Sequence, residues 1–343
     1  MHETITDRFA IYHADTVDVA RGLPDRSVGL SVFSPPFASL YTYSNSPRDM
    51  GNVLDDAEFF AHYAFLIRET ARVMMPGRLV AIHCMLMPTS KTRDGHIGLR
   101  DFRGDIIKAY ESCQLAEPCE AYRKAPRNAH GSIHAGTWCE HGFIFHSEVC
   151  IWKDPVTAMQ RTKALGLLHK TIRKDSSMSR QGIADYLVVM RAPGDNSEPI
   201  AHTAEEFPVL MWQRYASPVW VTTGSADEDG FLMCSAEETG DASSGINPSN
   251  TLQYRSAREH DDERHICPLQ LGVIRRSIRL WSNPGEVVWS PFTGIGSEGY
   301  VALQEGRRFV GAELKKSYYE QACRNLREAQ TVKQGGLFDA VLT

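Results

Sequence analysis

Short runs that are apolar or alternate with period two are interleaved with segments of helical spacing along most of this chain, and that succession restricts the fold more than any single motif does. FAIYHAD (9–15), SVGLSVFS (27–34), RLVAIHCML (78–86), FIFHSEVCIW (143–152), DYLVVMRAP (185–193), EVVWS (286–290) and RRFVGAEL (307–314) read as strands. Between them, Phe59, Tyr63, Leu66, Ile67 and Val73 recur at helical spacing up to a stop at Pro76-Gly77. Residues 102–112, LQLGVIRRSIRLW (269–281) and KKSYYEQACRNLREAQ (315–330) follow the same period. A strand that is apolar on both faces must be covered on both, and a helix with one apolar face can only cover. The expectation is therefore an α/β fold, a mostly parallel sheet with helices on either side.

With 343 residues and 42% hydrophobic content, the chain can build one large domain or two smaller ones, and a disordered or collagenous polymer is excluded. Its 37 Lys and Arg against 42 Asp and Glu give a net charge of −5, so a nucleic-acid partner would require positive charge gathered locally. No run approaches the roughly 18 apolar residues of a membrane span, and the opening segment lacks a signal pattern, so a cytoplasmic protein with no membrane partner is expected. Eight cysteines lie scattered at 84, 113, 119, 139, 150, 234, 267 and 323, without the density of a disulfide scaffold, and are expected to be reduced.

Two strand-to-loop motifs carry the chemistry. In Ser290-Pro291-Phe292-Thr293-Gly294-Ile295-Gly296 the glycines let backbone approach a ligand without Cβ interference, and the following helix start offers free N–H groups. Glu313, at the tip of the next strand, is placed to accept hydrogen bonds from both hydroxyls of a ribose. GxGxxG is incomplete, which favours a nucleoside over a dinucleotide. The blander reading is an ordinary βα turn beside a surface glutamate. The second motif, Ser34-Pro35-Pro36-Phe37, also ends a strand. Prolines lack N–H groups, so carbonyls there can face outward as acceptors, which suits an amine. An exocyclic amine of a base is a poor nucleophile, and accepting its protons with Ser34 and the Pro35 carbonyl would favour the attacking form while Phe37 stacks on the base. Alone, the motif could be a structural Pro-Pro turn.

SPPF, IWKDPV (151–156), HICPLQ (265–270) and SPFTGIGS followed by FVGAEL resemble, in that order, the motifs of the permuted β-class amino DNA methyltransferases, with the orphan or phage-borne branch nearest. The resemblance implies a Rossmann-like, S-adenosylmethionine-dependent fold, circularly permuted, with an inserted target-recognition region. Residues 1–193 would form the catalytic half, with an insertion at about 113–142 and a DNA-facing segment at 153–180. Residues 194–264 would be the irregular target-recognition segment, including its acidic stretch at 222–246. Residues 265–330 would form the cofactor-binding half of the same domain, and 331–343 a tail. It further implies that Ser34, Pro35, Pro36 and Phe37 are the catalytic loop and that Phe292, Gly294 and Gly296 line the methionine end of the cofactor. Glu313 would hold the ribose, Asp15 would contact the cofactor's adenine or amine, and the segment holding His265 and Pro268 would close over the methionine. Ser290 stands where many members carry Asp, and HICPLQ replaces HPTQKP. Methyl transfer to adenine N6 in double-stranded DNA is favoured. Cytosine N4 is the alternative, because Ser opens the first motif; an RNA methyltransferase or an inactive DNA-binding relative is more remote. A homodimer is the expected assembly, and a paired nuclease stays open.

Between 153 and 180, Lys153, Arg161, Lys163, Lys170, Arg173, Lys174 and Arg180 face only Asp154 and Asp175 in sequence, and Gln181 follows. A phosphate-contacting surface is the reading preferred over a merely solvated face. WQRYASPVW (212–220) is expected to pack in the core or at a dimer contact. Cys113, Cys119, Cys139 and His141, with His130 and His134 nearby, lack zinc-ligand spacing, so no metal is expected. Pro118-Cys119 resembles a thiolate nucleophile of cytosine-C5 chemistry, but the order of the motifs argues against it.

Overall fold

The computed structural model describes residues 2–37, 48–53, 55–112, 142–156, 159, 165–221, 250–253, 257 and 269–335. The chain begins with β1 (His2–Ile5), β2 (Phe9–His13), α1 (Thr16–Gly22) and β3 (Val28–Phe33), then α2 (Asp56–Val73) and β4 (Met74–Met85). Next come β5 (Met87–Pro88), α3 (Lys91–Asp94), β6 (Leu99–Arg100), α4 (Phe102–Glu111), β7 (Ile144–Ile151), α5 (His169–Lys174) and β8 (Asp185–Arg191). α6 (Val209–Tyr215) and β9 (Val219–Trp220) precede the last unit: α7 (Leu271–Trp281), β10 (Val287–Ser290), α8 (Ser297–Gln304), β11 (Arg308–Glu313) and α9 (Lys316–Gly335).

Among the described residues, nine strands form one sheet in the order β1-β2-β11-β10-β3-β4-β8-β7-β9. The run β2, β11, β10, β3, β4 is parallel throughout, and β8 joins β4 antiparallel. Apolar runs are required here because alternate residues go to opposite cores: Leu79, Ala81, Leu187 and Val189 to one, Val80, Ile82, Val188 and Met190 to the other. The first core is closed by α7, α8 and α9, through Val273, Ile274, Ile278, Val301, Leu303 and Leu326. The second is closed by α1, α2 and α4, through Val19, Phe59, Tyr63, Leu66, Ile106 and Tyr110. Side-chain caps fix the helix starts, with Asp15 accepting from the amides of Val17 and Asp18 and Asp55 from that of Glu58.

The expected strands and helices form, with three adjustments. α2 stops at Val73, before Pro76-Gly77, because Met74 already pairs with Val28 and begins β4; Gly77 then adopts a φ of +71° where the strand bends. The segment expected to be irregular from 194 contains α6 and β9, and β9 adds to the sheet beside β7. The tail expected from 331 begins later, since α9 runs to Gly335. The expected insertion at 113–142 and the acidic stretch at 222–246 lie outside the described residues, apart from Gly142. No described helix is long and apolar enough to cross a membrane.

β10 and β3 are neighbours, yet their onward connections diverge. From β10 the chain passes through α8 to β11 on one side, and from β3 through α2 to β4 on the other. A crevice opens where such connections part, at the C-terminal ends of the strands. Both motifs leave the sheet there.

Candidate active site

The loop after β10 is a fixed backbone cradle. The Thr293 amide donates to the Ala312 carbonyl at 3.0 Å, its hydroxyl to the Ser290 carbonyl at 3.1 Å, and the Gly296 amide to the Thr293 carbonyl at 2.8 Å. Gly294 and Gly296 have φ of +54° and +89°, the left-handed region where a side chain is strained. A Cβ on Gly296 would press on Ala322 at 3.2 Å, whereas one on Gly294 would enter open space. Glu313, from the end of β11, is clamped against this loop, accepting from the Gly294 amide through Oε2 and the Lys315 amide through Oε1, each at 2.8 Å. Burial pushes its carboxyl up to about 7 against the opposing pull of those amides, with Asp49 adding to the rise. Burial likewise pushes Glu298, in the first turn of α8, up to about 8, and Glu313 adds to it. Ser290 Oγ is buried with no hydrogen-bond partner among the described residues.

The second loop leaves β3. Among the described residues the Ser34 hydroxyl has two partners, both on His83 of β4: the backbone carbonyl, to which it donates at 3.3 Å, and ring Nδ1 at 3.2 Å. The other ring nitrogen, Nε2, lies 3.0 Å from Asp185 Oδ2 at the start of β8, and Lys153 Nζ approaches the same oxygen at 2.5 Å. Asp185 is only 3% exposed; burial alone would raise its carboxyl pKa, but His83 and Lys153 outweigh that and hold it below the usual range. Phe37 sets its ring edge-on to Phe102 at 6.2 Å. Phe292 packs between Phe33 at 5.8 Å and Tyr63 at 6.4 Å, so aromatic rings from β3, α2 and the β10 loop form a shared floor.

The family model described as DNA methylase (N6_N4_Mtase) matches residues 28–324, a span containing both loops. The chain belongs to this family. It is 34% identical over 314 residues to the type II methyltransferase M.BglII of Bacillus subtilis, a match spanning 91% of this chain and 67% of that one. It is 35% identical over 81 residues to the DNA adenine methyltransferase YhdJ of Escherichia coli K12, a match spanning 23% of this chain and 28% of YhdJ. Among solved structures, TTHA0409 of Thermus thermophilus complexed with S-adenosyl-L-methionine aligns at a TM-score of 0.56 and 19% identity, over 94% of this methylase and 96% of that chain. The cytosine-N4-specific PvuII DNA methyltransferase aligns at 0.54 and 13%, over 96% and 92%. At those identities the likeness establishes the fold: a mixed α/β, Rossmann-like sheet.

Ser34, Pro35, Pro36, Phe37, Ser290, Phe292, Gly294, Gly296 and Glu313 therefore all lie at the C-terminal ends of the neighbouring strands β3, β10 and β11. Asp15 stands nearby at the end of β2, which pairs with β11 at His13 and Glu313, and its carboxylate caps α1. His265, Pro268, Arg161 and Lys163 lie outside the described residues, as do Cys113, Cys119, Cys139, His130, His134 and His141. Lys170, Arg173, Lys174 and Gln181 are exposed on and after α5, while Arg180 is half-buried against Gly166. Lys153 departs from the phosphate-facing expectation: its ammonium is held by Asp185. The aromatic stretch divides, with Trp220 buried under Arg276 and Trp212 exposed on α6. Cys84, Cys150 and Cys323 are free thiols, and the described residues contain no group of three or more His, Cys, Asp or Glu able to hold a metal ion. His83, Asp185 and Glu298 were not singled out in the sequence. Their signal is polarity in apolar surroundings: His83 interrupts RLVAIHCML, and Asp185 opens DYLVVM.

Proposed function

We propose that this chain is an S-adenosylmethionine-dependent DNA methyltransferase that methylates adenine N6 of a flipped base in double-stranded DNA. The observation carrying this reading is the meeting of the acceptor-lined Ser34–Phe37 loop with the glycine and carboxylate cradle at the point where the sheet's connections diverge. The cradle fits the cofactor. Gly294 leaves space a Cβ would fill, Glu313 is fixed by two amides with lone pairs left for vicinal hydroxyls, and Ser290 offers a buried hydroxyl with no partner among the described residues. Glu313, in its ionised form, suits a ligand bearing positive charge, and Asp15 stands nearby after β2. When bound, S-adenosylmethionine supplies an electrophilic methyl group on a sulfonium.

The chain's own residues do the rest. Ser34 and the Pro35 carbonyl accept the protons of the exocyclic amine, and Phe37, braced by Phe102, stacks on the base. The chain is read as a circular permutation because its last two strands, β10 and β11, sit between β2 and β3. Lys170, Arg173 and Lys174 are assigned to phosphate contacts, on the strength of their exposure.

A second reading, cytosine N4, is favoured by one residue: a serine rather than a carboxylate opens the first loop. Mass spectrometry of nucleosides from duplex DNA, after incubation with S-adenosylmethionine, separates the two. N6-methyladenine is expected, N4-methylcytosine would establish the second reading, and methylation of RNA alone, or of neither, would overturn both.

A further inference from the structure

Beneath the catalytic loop runs a polar chain that the amine chemistry above enters only at Ser34. Its members come from four places: Ser34 after β3, His83 on β4, Asp185 on β8 and Lys153 after β7. Ser34 meets His83 through two atom pairs, His83 and Lys153 each meet Asp185 through one, and Asp185, the most buried, is the hub. An ionised carboxylate only accepts hydrogen bonds, so the His83 nitrogen facing it, Nε2, must carry the ring proton. His83 and Lys153 together keep Asp185 ionised despite its burial. In the tautomer with its proton on Nε2, the ring turns an unprotonated Nδ1 to Ser34. Among the described residues, both acceptors available to the Ser34 hydroxyl proton belong to His83, so that proton is drawn toward the sheet and the oxygen's lone pairs are left for the substrate amine.

We propose that His83, its tautomer set by Asp185, is a positioning residue that orients Ser34 and receives, through it, the proton released on methylation. The inference rests on the reading of Ser34 as the group that meets the amine. The amine nitrogen forms the new N–C bond with its lone pair, the broken S–C bond leaves its electrons on sulfur, and one N–H proton must depart. That proton passes to Ser34 Oγ as the serine's own proton moves to His83 Nδ1. The result is an imidazolium held against Asp185, whose positive charge replaces that of the sulfonium. The same division of labour, with a carboxylate fixing a histidine that serves a hydroxyl, operates in serine hydrolases. Here the hydroxyl accepts a proton instead of attacking.

The test is a double-mutant cycle on single-turnover methylation of duplex DNA by preloaded enzyme, using Ser34→Ala, His83→Gln and the double variant. His83→Gln should slow the wild type by roughly 10- to 100-fold, with cofactor affinity and thermal unfolding near wild type. In the Ser34→Ala background it should slow the reaction by less than about twofold, because its route to the amine is already gone. An equal loss in both backgrounds, or none in either, would overturn the proposal. Full activity of Ser34→Ala would instead remove the assignment of the loop itself, and this inference with it. Nitrogen-15 shifts of His83, assigned by difference from His83→Gln, read the tautomer without turnover: the Nε2–H form is expected, and the Nδ1–H form would contradict the mechanism.

Discussion

Glu298 and Glu313 are carboxyls placed where ionisation is costly, with pKa values of about 8 and about 7. A carboxyl raised on folding holds its proton in the native state after the unfolded chain has released it. Between about pH 4.5 and 8 the native protein thus binds more protons, and its stability falls as pH rises through that window. Glu298→Gln should flatten the dependence and raise the melting temperature at pH 8, by an amount on the order of a few kcal/mol in stability, measured by thermal unfolding from pH 5 to 8. Glu313 adds a functional consequence. A cationic cofactor favours the ionised carboxylate, so binding should release a proton below about pH 7 and weaken as pH falls further. Calorimetry in two buffers of different ionisation enthalpy measures that release, and Glu313→Ala should abolish it while lowering affinity about tenfold or more. In the sequence, Glu313 was legible because it follows the glycine loop at the tip of the next strand. Glu298 was not, since a glutamate in a first helical turn ordinarily faces solvent and only the tertiary fold buries it.

Helix α8 separates two uses of glycine within a few residues. At Gly299 a Cβ would come within 2.5 Å of Leu326 and 2.6 Å of Phe309, so the glycine lets α8 lie flat between α9 and the sheet. Gly299→Ala should cost about 1–3 kcal/mol by overpacking, seen as a lower melting temperature with little change in the cofactor affinity of the folded fraction. Gly294→Ala should do the opposite. Its Cβ meets nothing within 4 Å, so stability falls only by the roughly 1 kcal/mol of left-handed strain, while cofactor binding measured by calorimetry is lost. The same contrast explains which elements could be read from the sequence. Strands buried on both faces announce themselves as apolar runs. β1 does not: HETI is largely exposed at the sheet edge and is held by Thr4 against Tyr319 at 3.0 Å. α6 is short and largely exposed, and β9 has only two residues, so neither has a pattern to read.

Across the whole molecule, a net charge of −5 coexists with an exposed basic face on α5. If Lys170, Arg173 and Lys174 each contact a phosphate, replacing all three with Ala should flatten the slope of log affinity against log salt by up to about 2.7 units. Fluorescence anisotropy with duplexes of different sequence should show a similar loss for each, and an unchanged slope would place the phosphates elsewhere. At this scale the two loops were legible because each is contiguous and ends a strand. The His83–Asp185 link was not, because it joins residues 102 positions apart that meet only through the pairing of β4 with β8.

The position of β10 and β11 between β2 and β3 also governs how the protein is made. β2 and β3 leave the ribosome in succession, yet they belong three strand spacings apart, roughly 14 Å, and the strands that fill the gap are synthesised only after β4 to β9. Until then the nascent chain holds two unpaired strand edges, a state prone to mispairing and in need of chaperones. A message broken off between the codons for Phe37 and Val287 would yield a polypeptide carrying Ser34–Phe37 with no neighbouring cradle, so such truncated products are expected to be inert toward the genome.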